Sequence, residues 1–292
     1  MKAIDEDQLL QCLETALAGD AAALEKLLIA LKDPLFRLSL RTLGNFADAE
    51  DATQEILVKI MTALASFERR SSIRTWAFRI GVNHLRDVVA RRGHAPASFE
   101  EVAEQLGRGF ALTPDFTRGQ TAADPALELE AREIGLHCLQ GILMCLDTDE
   151  RLAYVLSEVF DLDTSTAAQV AGVGAATYRQ RLSRGRRRLE AFLGQHCGLV
   201  NAAAPCTCRR QAQALRRAQG GRPVRIRFAR GAPATAEEIA QARADLSRLQ
   251  RIALLFRNSP QWSAPDGVLE HVRRTILSSA LFNTSETASR PN

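Results

Sequence analysis

The sequence predicts a mainly α-helical fold: two small helical domains joined by a linker and followed by an α-rich C-terminal extension. Three observations lead there. Ala and Leu dominate while aromatics make up only 5% of the 292 residues, a composition that favours helices over a β-rich core. Nearly every periodic stretch repeats its apolar residues at helical spacing. Between Gly93 and Asp124 that periodicity fades into scattered Gly, Pro, Thr and Phe, as in a linker. The division that follows is residues 1–93, a linker at 94–124, a second helical domain at 125–193 and an extension at 194–292.

Taken in order, Asp20 caps a helix whose face carries Leu24, Leu27, Leu28 and Leu31, and Pro34 should kink or restart it before Leu35, Leu38 and Leu43. Gly44-Asn45 is a stop, after which Asp48 should cap a helix with Ile56, Leu57, Ile60, Met61 and Leu64 on its apolar face. A third helix is expected from Ser72 to Arg92, and only a marginal one from Ser98 to Leu106. Helices resume at Pro125–Leu146 and Asp149–Phe160. Ser165 or Thr164 then caps a short helix, Gly172 to Gly174 form a tight turn, and a long helix starts near Ala175. Beyond Leu193, "GQHCGLVNAAAPCTCRR" reads as loop, Val224, Ile226 and Phe228 alternate with arginines as a short strand would, and Thr235 with Glu238 forms a capping box opening a helix to Arg257. A final helix should span Gly267 to Ser279, before the polar tail TSETASRPN.

Charged residues at 25% and hydrophobic ones at 46% are ordinary for a globular chain, and the net charge is only +4. Its distribution is uneven. Six arginines and no acid lie between Arg179 and Arg188, and no Asp or Glu lies between Glu190 and Glu237. Local basic stretches on a near-neutral chain imply a polyanion met by particular surfaces. The acidic start MKAIDEDQLLQCLETA lacks the apolar core of a signal peptide, and the apolar stretch Leu24–Leu31 is short and broken by Glu25 and Lys26, so neither secretion nor membrane insertion is expected. A cytoplasmic setting keeps thiols reduced, and the six cysteines do not read as a disulfide framework. Cys12, Cys138 and Cys145 lie in apolar-patterned helices and read as buried small hydrophobes.

Two short helices with a glycine turn are the pattern of a helix-turn-helix. The second helix would present Thr177, Arg179, Gln180, Arg181 and Arg184 near its N-terminal half, where Arg can read guanine and Gln adenine. Arg186, Arg187 and Arg188 lie further along and suit phosphates, which position without specifying sequence. A solvated amphipathic helix resting on Leu182, Leu189 and Phe192 would share this pattern but not its one-sided charge.

The stretch Ser66–Arg92 poses a sharper question. It holds seven arginines and only two acids, yet Trp76 sits in its middle with Thr75, Asn83 and His84 nearby. Together, "DAEDATQEILVKIMTALASFERRSSIRTWAFRIGVNHLRDVVARR" and "LDTDERLAYVLSEVFDLDTSTAAQVAGVGAATYRQRLSRGRRRL" resemble conserved regions two and four of bacterial RNA polymerase sigma factors of the extracytoplasmic-function (ECF) group, in that order. The resemblance covers about residues 5 to 193. It implies a factor that directs polymerase core to promoters and is not itself an enzyme. The stretch would then open the minus-ten element and hold an unpaired base, a task that needs stacking, edge hydrogen bonds and cations for the strand. Phe67, Arg74, Thr75, Trp76, Arg79, Asn83 and Arg86 are its candidates, with a core role for Trp76 equally open. Thr177, Arg179, Gln180, Arg181, Arg184 and Arg187 are the candidates for the minus-thirty-five element. Asp48, Glu50, Asp51, Gln54 and Glu55 satisfy helix capping and the dipole, but Gln54 and Glu55 lie past the first turn. The resemblance assigns all five to docking on the clamp of the polymerase's largest subunit. Tyr178, Ala167 and Ile73 depart from the residues usual in the family.

The extension has no counterpart in that resemblance. His196, Cys197, Cys206 and Cys208 bring soft ligands together and could hold zinc or copper(I), although no cofactor is required for promoter direction. The same thiols could form a redox switch if Arg209 and Arg210 favour thiolates, or merely occupy a structural turn. Partners implied are polymerase core and promoter DNA, with an anti-sigma factor neither required nor excluded. The alternative is a helix-turn-helix regulator acting mainly as a metal or thiol sensor.

Overall fold

The structure, a computed structural model, describes residues 5–93, 97–117, 125–221 and 262–278. The helices are α1 (Glu6–Leu17), α2 (Ala21–Leu43), α3 (Phe46–Ala63), α4 (Ile73–Arg92), α5 (Phe99–Ala111), α6 (Pro125–Leu143), α7 (Thr148–Tyr154), α8 (Thr164–Ala171), α9 (Ala175–His196), α10 (Cys208–Ala218) and α11 (Asp266–Ser278). No strand occurs among the described residues, and no helix among them is long and apolar enough to cross a membrane. The expected strand at Val224–Phe228, the helix from Thr235 to Arg257 and the polar tail lie outside the described residues.

Packing divides the chain into two units that interleave along the sequence. The first takes the described parts of Met1–Gly93, Ser165–Gly174 and Trp262–Asn292, the second those of His94–Thr164 and Ala175–Gln261. This differs from a serial arrangement of domain, linker, domain and extension. The presumed linker contains α5, whose Ser98–Glu101 capping box fixes its start, and α5 packs on α10. The extension is divided, with α10 in the second unit and α11 in the first.

In the first unit α2, α3 and α4 pack on one another over Leu24, Leu27, Leu28, Leu35, Leu38, Ile56, Leu57, Ile60, Val82 and Leu85, all essentially inaccessible. Gly81 permits the close approach of α4 to α2, since a Cβ there would stand 3.2 Å from Leu35 Cδ2. The helix α2 runs unbroken through Pro34. The missing N–H and ring clash of an internal proline cost about 3 kcal/mol, which the continuous buried leucine stripe on both sides offsets. The cap of α3 is Asn45 rather than Asp48: its extended backbone lets the side-chain oxygen accept from the Asp48 amide at 3.2 Å. Helix α4 begins as expected, with Ser72 accepting from the Thr75 amide at 3.0 Å.

In the second unit α7 packs on α9, and α6 on α10. The buried Arg151 guanidinium donates to the carbonyls of Leu143, Met144 and Leu146, satisfying the open C-terminal end of α6. A π turn at Val155–Val159 follows α7, so the helix expected as far as Phe160 is shorter and changes pitch. The Tyr178 departure is accommodated: its buried hydroxyl donates to the Ala153 carbonyl at 2.9 Å and meets Ser157 Oγ at 2.8 Å.

Candidate nucleic-acid interface

Helix α4 answers the question of the tryptophan among arginines. Its buried side is Ile73, Ala77, Phe78, Val82 and Leu85. On the other side, Trp76, Arg79 and Asn83 follow at spacings of three and four and form one stripe. Arg79 and Asn83 are exposed, while Trp76 is half-buried against Phe67, the ring centroids 5.4 Å apart. Trp76 therefore belongs to an aromatic pair at the edge of the core, with part of its surface open. Thr75 and Arg74 are half-buried in the first turn, and Ser72 Oγ donates to Thr75 Oγ1 at 2.8 Å. Arg86 is half-buried and donates to the Ala171 carbonyl at 2.8 Å, so part of its hydrogen-bonding capacity is committed within the unit.

The loop before α4 is shaped by charge and strain. Arg69 adopts a left-handed φ of 57° and pairs with Glu14 at 2.7 Å, while Arg70 pairs with Glu68 at 2.8 Å. Glu6 accepts from the Ile73 amide at the N-terminus of α4, where a carboxylate complements the helix dipole. His84, by contrast, is a core residue. Lys59 donates to its Nδ1 at 2.9 Å, and burial first, then the Lys59 charge, hold its pKa below the ordinary value. A neutral imidazole that accepts from an ammonium fits this setting; a base-contacting role does not.

The acidic residues of α3 are not equivalent. Asp48 pairs with Arg92 of α4 at 2.7 Å, which ties the two helices together. Asp51 and Glu55 are exposed, Glu50 and Gln54 half-buried. Asp51, Gln54, Glu55, Val58 and Lys59 line an open pocket of 440 Å³ together with His271 of α11.

Of the residues expected at the minus-thirty-five element, Thr177, Arg179, Gln180, Arg184 and Arg187 on α9 are exposed and Arg181 is half-buried, while Tyr178, Leu182, Gly185, Leu189, Phe192 and Leu193 are buried. The arginines fall into two groups. Arg181 pairs with Asp149 at 2.7 Å; Arg184 and Arg188 pair with Glu150 at 3.2 and 2.7 Å; Arg186 pairs with Glu158. Glu150 is buried, so α9 is clamped to α7 by charge as well as by leucines. Arg179 and Arg187 are exposed and form none of these ion pairs. Asp149, Glu150 and Glu158 are supports of α9 that pattern reading missed: the first two stand in the first turn of α7, where the helix dipole already explains acids, and Glu158 lies in the π turn beyond it.

The tail cysteines gather as expected, with an addition. His196, Cys197, Cys206 and Cys208 line one pocket of 300 Å³ in the second unit, and Cys138 of α6 joins them. Of the three cysteines expected to be buried, Cys145 is buried, while Cys12 and Cys138 are half-buried. Among the described residues no three or more His, Cys, Asp or Glu stand as a ligand set for a metal ion. The residues of the expected zinc or copper(I) site are brought together, but ligand geometry is not. The basic activation expected for the thiols is also lacking on one side, because Arg210 is spent on Thr113, the Phe110 carbonyl and the Phe110 ring, 4.5 Å from its centre. Burial pushes the Cys197 and Cys138 thiols up, away from thiolate.

Comparison with known proteins adds a family context. The Sigma-70 region 2 family model matches residues 27–95, and the Sigma-70, region 4 model matches residues 136–189. The ECF RNA polymerase sigma factor SigE of Mycolicibacterium smegmatis is 31% identical over 182 residues, 61% of this chain and 65% of SigE. The RNA polymerase sigma factor CnrH of Cupriavidus metallidurans is 30% identical over 147 residues, 50% of this chain and 73% of CnrH. A solved structure of CnrH in complex with the cytosolic domain of CnrY aligns with a TM-score of 0.43 at 25% identity, covering 65% of this chain and 97% of that one. The chain spans a little under two thirds of SigE, and α10 and α11 lie beyond the last residue that either family model matches.

Proposed function

The chain belongs to the ECF group of RNA polymerase sigma factors, and from that premise we propose that it captures polymerase core and carries it to a set of promoters. It has no reaction of its own; the core makes the RNA. It acts in the cytoplasm, where core and promoter DNA are found.

One observation carries the reading. An exposed Arg79–Asn83 stripe flanked by the Phe67–Trp76 pair stands on α4, and α9 of the same chain exposes Thr177, Arg179, Gln180 and Arg187. A flipped minus-ten base costs a few kcal/mol of unstacking, which an aromatic edge, an amide and a strand-binding guanidinium together offset. On α9, Arg179 and Gln180 read base edges at the minus-thirty-five element and Arg187 meets phosphate. Arg181 and Arg184 hold α9 to α7 through Asp149 and Glu150 rather than reading bases. Asp51, Gln54 and Glu55 on α3 dock on the core, with Glu50 at the border of that surface. A separate anti-sigma factor would compete for these same surfaces.

Run-off transcription with core polymerase and genomic promoter fragments tests the reading. Core with this chain should give discrete transcripts that core alone does not give. A regulator that used only its helix-turn-helix would bind DNA but fail to be retained by core in a pull-down and would yield no new transcript; that result would refute the proposal.

A further inference from the structure

We propose that α11 is a competitor of polymerase core built into the chain: it lies on the α3 surface assigned above to the core and must leave before that surface is used. The inference rests on that assignment.

The helix is seated by a few apolar anchors and by polar ties at its edges. Trp262, Ala264, Val268 and Val272 are buried. The Trp262 ring lies under the Arg41 guanidinium, 4.6 Å from the ring centre. The Ala264 amide donates to Asp33 at 3.0 Å, Lys32 donates to the Ala264 carbonyl at 3.4 Å, and Arg273 donates to Glu25 at 2.7 Å. The contact with α3 falls on Gln54 and, at the border of the docking surface, Glu50, beside Asp51 and Glu55, which stay exposed. A Cβ at Gly267 would meet Glu50 Oε1 at 3.4 Å, and His271 shares a pocket with Asp51, Gln54, Glu55, Val58 and Lys59.

What α11 covers distinguishes an occluding segment from a brace. The inward stripe of α3 is Ala49, Ala52, Thr53, Ile56, Leu57 and Ile60, and it is filled by α2 and α4. The stripe beside α11 is Glu50, Gln54 and Val58, mostly polar and half-buried. Apolar anchors of its own seat the segment, but what it covers on α3 is mainly a carboxylate and an amide, the groups that a basic partner surface would engage. The Arg273–Glu25 pair is about half exposed on one side and a third on the other, so solvent screens it and it adds little to the hold on the helix. Lys32, Asp33, Arg41 and the α3 stripe of the seat lie in the matched region 2 segment, whereas α11 lies beyond both family matches. The partner of the released surface is therefore core polymerase, and the partner of the covered surface is this chain's own C-terminal helix.

Occlusion lowers apparent affinity by the fraction of molecules with α11 undocked. The test measures core binding by the full-length chain and hydrogen exchange of α11 amides with and without core. If α11 is docked about nine-tenths of the time, Val268→Asp/Val272→Asp should bind core about tenfold more tightly. Arg273→Glu and Glu25→Arg should each give a smaller gain, and Glu25→Arg/Arg273→Glu should return toward wild type. In the wild-type chain, α11 amides should lose protection when core binds. Core binding that leaves α11 protected, or charge reversals and the double aspartate variant that give no gain, would overturn the occlusion. Because the aspartates could unfold the unit, the surface charge-reversal pair and the wild-type exchange measurement decide independently of them. Glu55→Arg separates the two layers: unchanged core binding overturns the docking assignment and the occlusion with it, whereas lost capture without any gain from undocking overturns occlusion alone.

Discussion

The arginines of α9 look alike in sequence, and the structure predicts that they will behave differently when removed. Arg179 is exposed and clear of the α7 acids, so a bidentate contact to guanine would make Arg179→Ala cost about 1–3 kcal/mol on the cognate minus-thirty-five duplex, or about 5- to 150-fold. Arg181 is 21% exposed and 2.7 Å from Asp149, itself 36% exposed. Its loss should lower stability by up to about 1 kcal/mol after solvent screening and change promoter affinity less than Arg179→Ala does. Glu150 is only 5% exposed and accepts from both Arg184 and Arg188. Either arginine alone can be removed at a cost of about 1 kcal/mol, but Arg184→Ala/Arg188→Ala leaves a buried carboxylate unpaired and should cost about 3 kcal/mol. Arg187→Ala should weaken cognate and scrambled DNA alike and reduce the salt dependence by about 0.9 in slope.

Urea unfolding and fluorescence anisotropy on cognate and scrambled duplexes, at fixed salt, separate these outcomes. Two results would refute the division into readers and clamps. One is an equal loss on both duplexes for Arg179→Ala. The other is an Arg181→Ala variant of unchanged stability that loses as much cognate affinity as Arg179→Ala.

Asn83→Ala should leave core capture intact while reducing open-complex formation on duplex promoter, with partial recovery on a pre-melted template if Asn83 assists opening; permanganate footprinting reads the open fraction, and normal opening would remove Asn83 from the site. His84 sets a pH dependence. Its folded pKa lies below the unfolded value of about 6.5, so the folded state binds fewer protons as the solution is acidified. The contribution is complete above that value and is lost as pH falls from it through the folded pKa, and thermal melts should show the loss in the wild type but less in His84→Gln. For the pocket thiols, burial of Cys138 and Cys197 predicts alkylation by iodoacetamide that is slow near neutrality and rises at higher pH than for a free cysteine; mass mapping that finds both modified rapidly at neutral pH would contradict the buried pocket.

What was legible in the sequence was local. The helices α2, α4, α8 and α9 follow from apolar residues spaced by one turn, with caps at Asp20 and Ser72 for the first two, so a short window contains the signal; the cap expected at Ser165 or Thr164 instead lies within α8, which begins at Thr164. The same windows misplaced the α3 cap, because Asn45 and Asp48 are both competent and only backbone conformation chooses between them. They also undervalued α5, whose apolar residues acquire partners only when α9 and α10, about ninety to a hundred residues later, pack on it. The candidate site divides in the same way. That α4 would carry a mixed aromatic, amide and arginine stripe was readable, since Trp76, Arg79 and Asn83 share a face by spacing alone.

That Arg181, Arg184 and Arg188 are clamped was not readable, because their carboxylates lie on α7, more than thirty residues away. The acid-free stretch Arg179–Arg188 looks like unpaired positive charge until those acids are folded against it. The cysteines show the same limit: Cys206 and Cys208 advertise themselves by proximity, while Cys138 enters the pocket only through packing of α6 on α10. A run of arginines thus measures how much charge a helix carries, but its share available to DNA is set by carboxylates elsewhere in the chain. On α9 the proposed division leaves that share to Arg179, as the reader, and Arg187, as the phosphate contact.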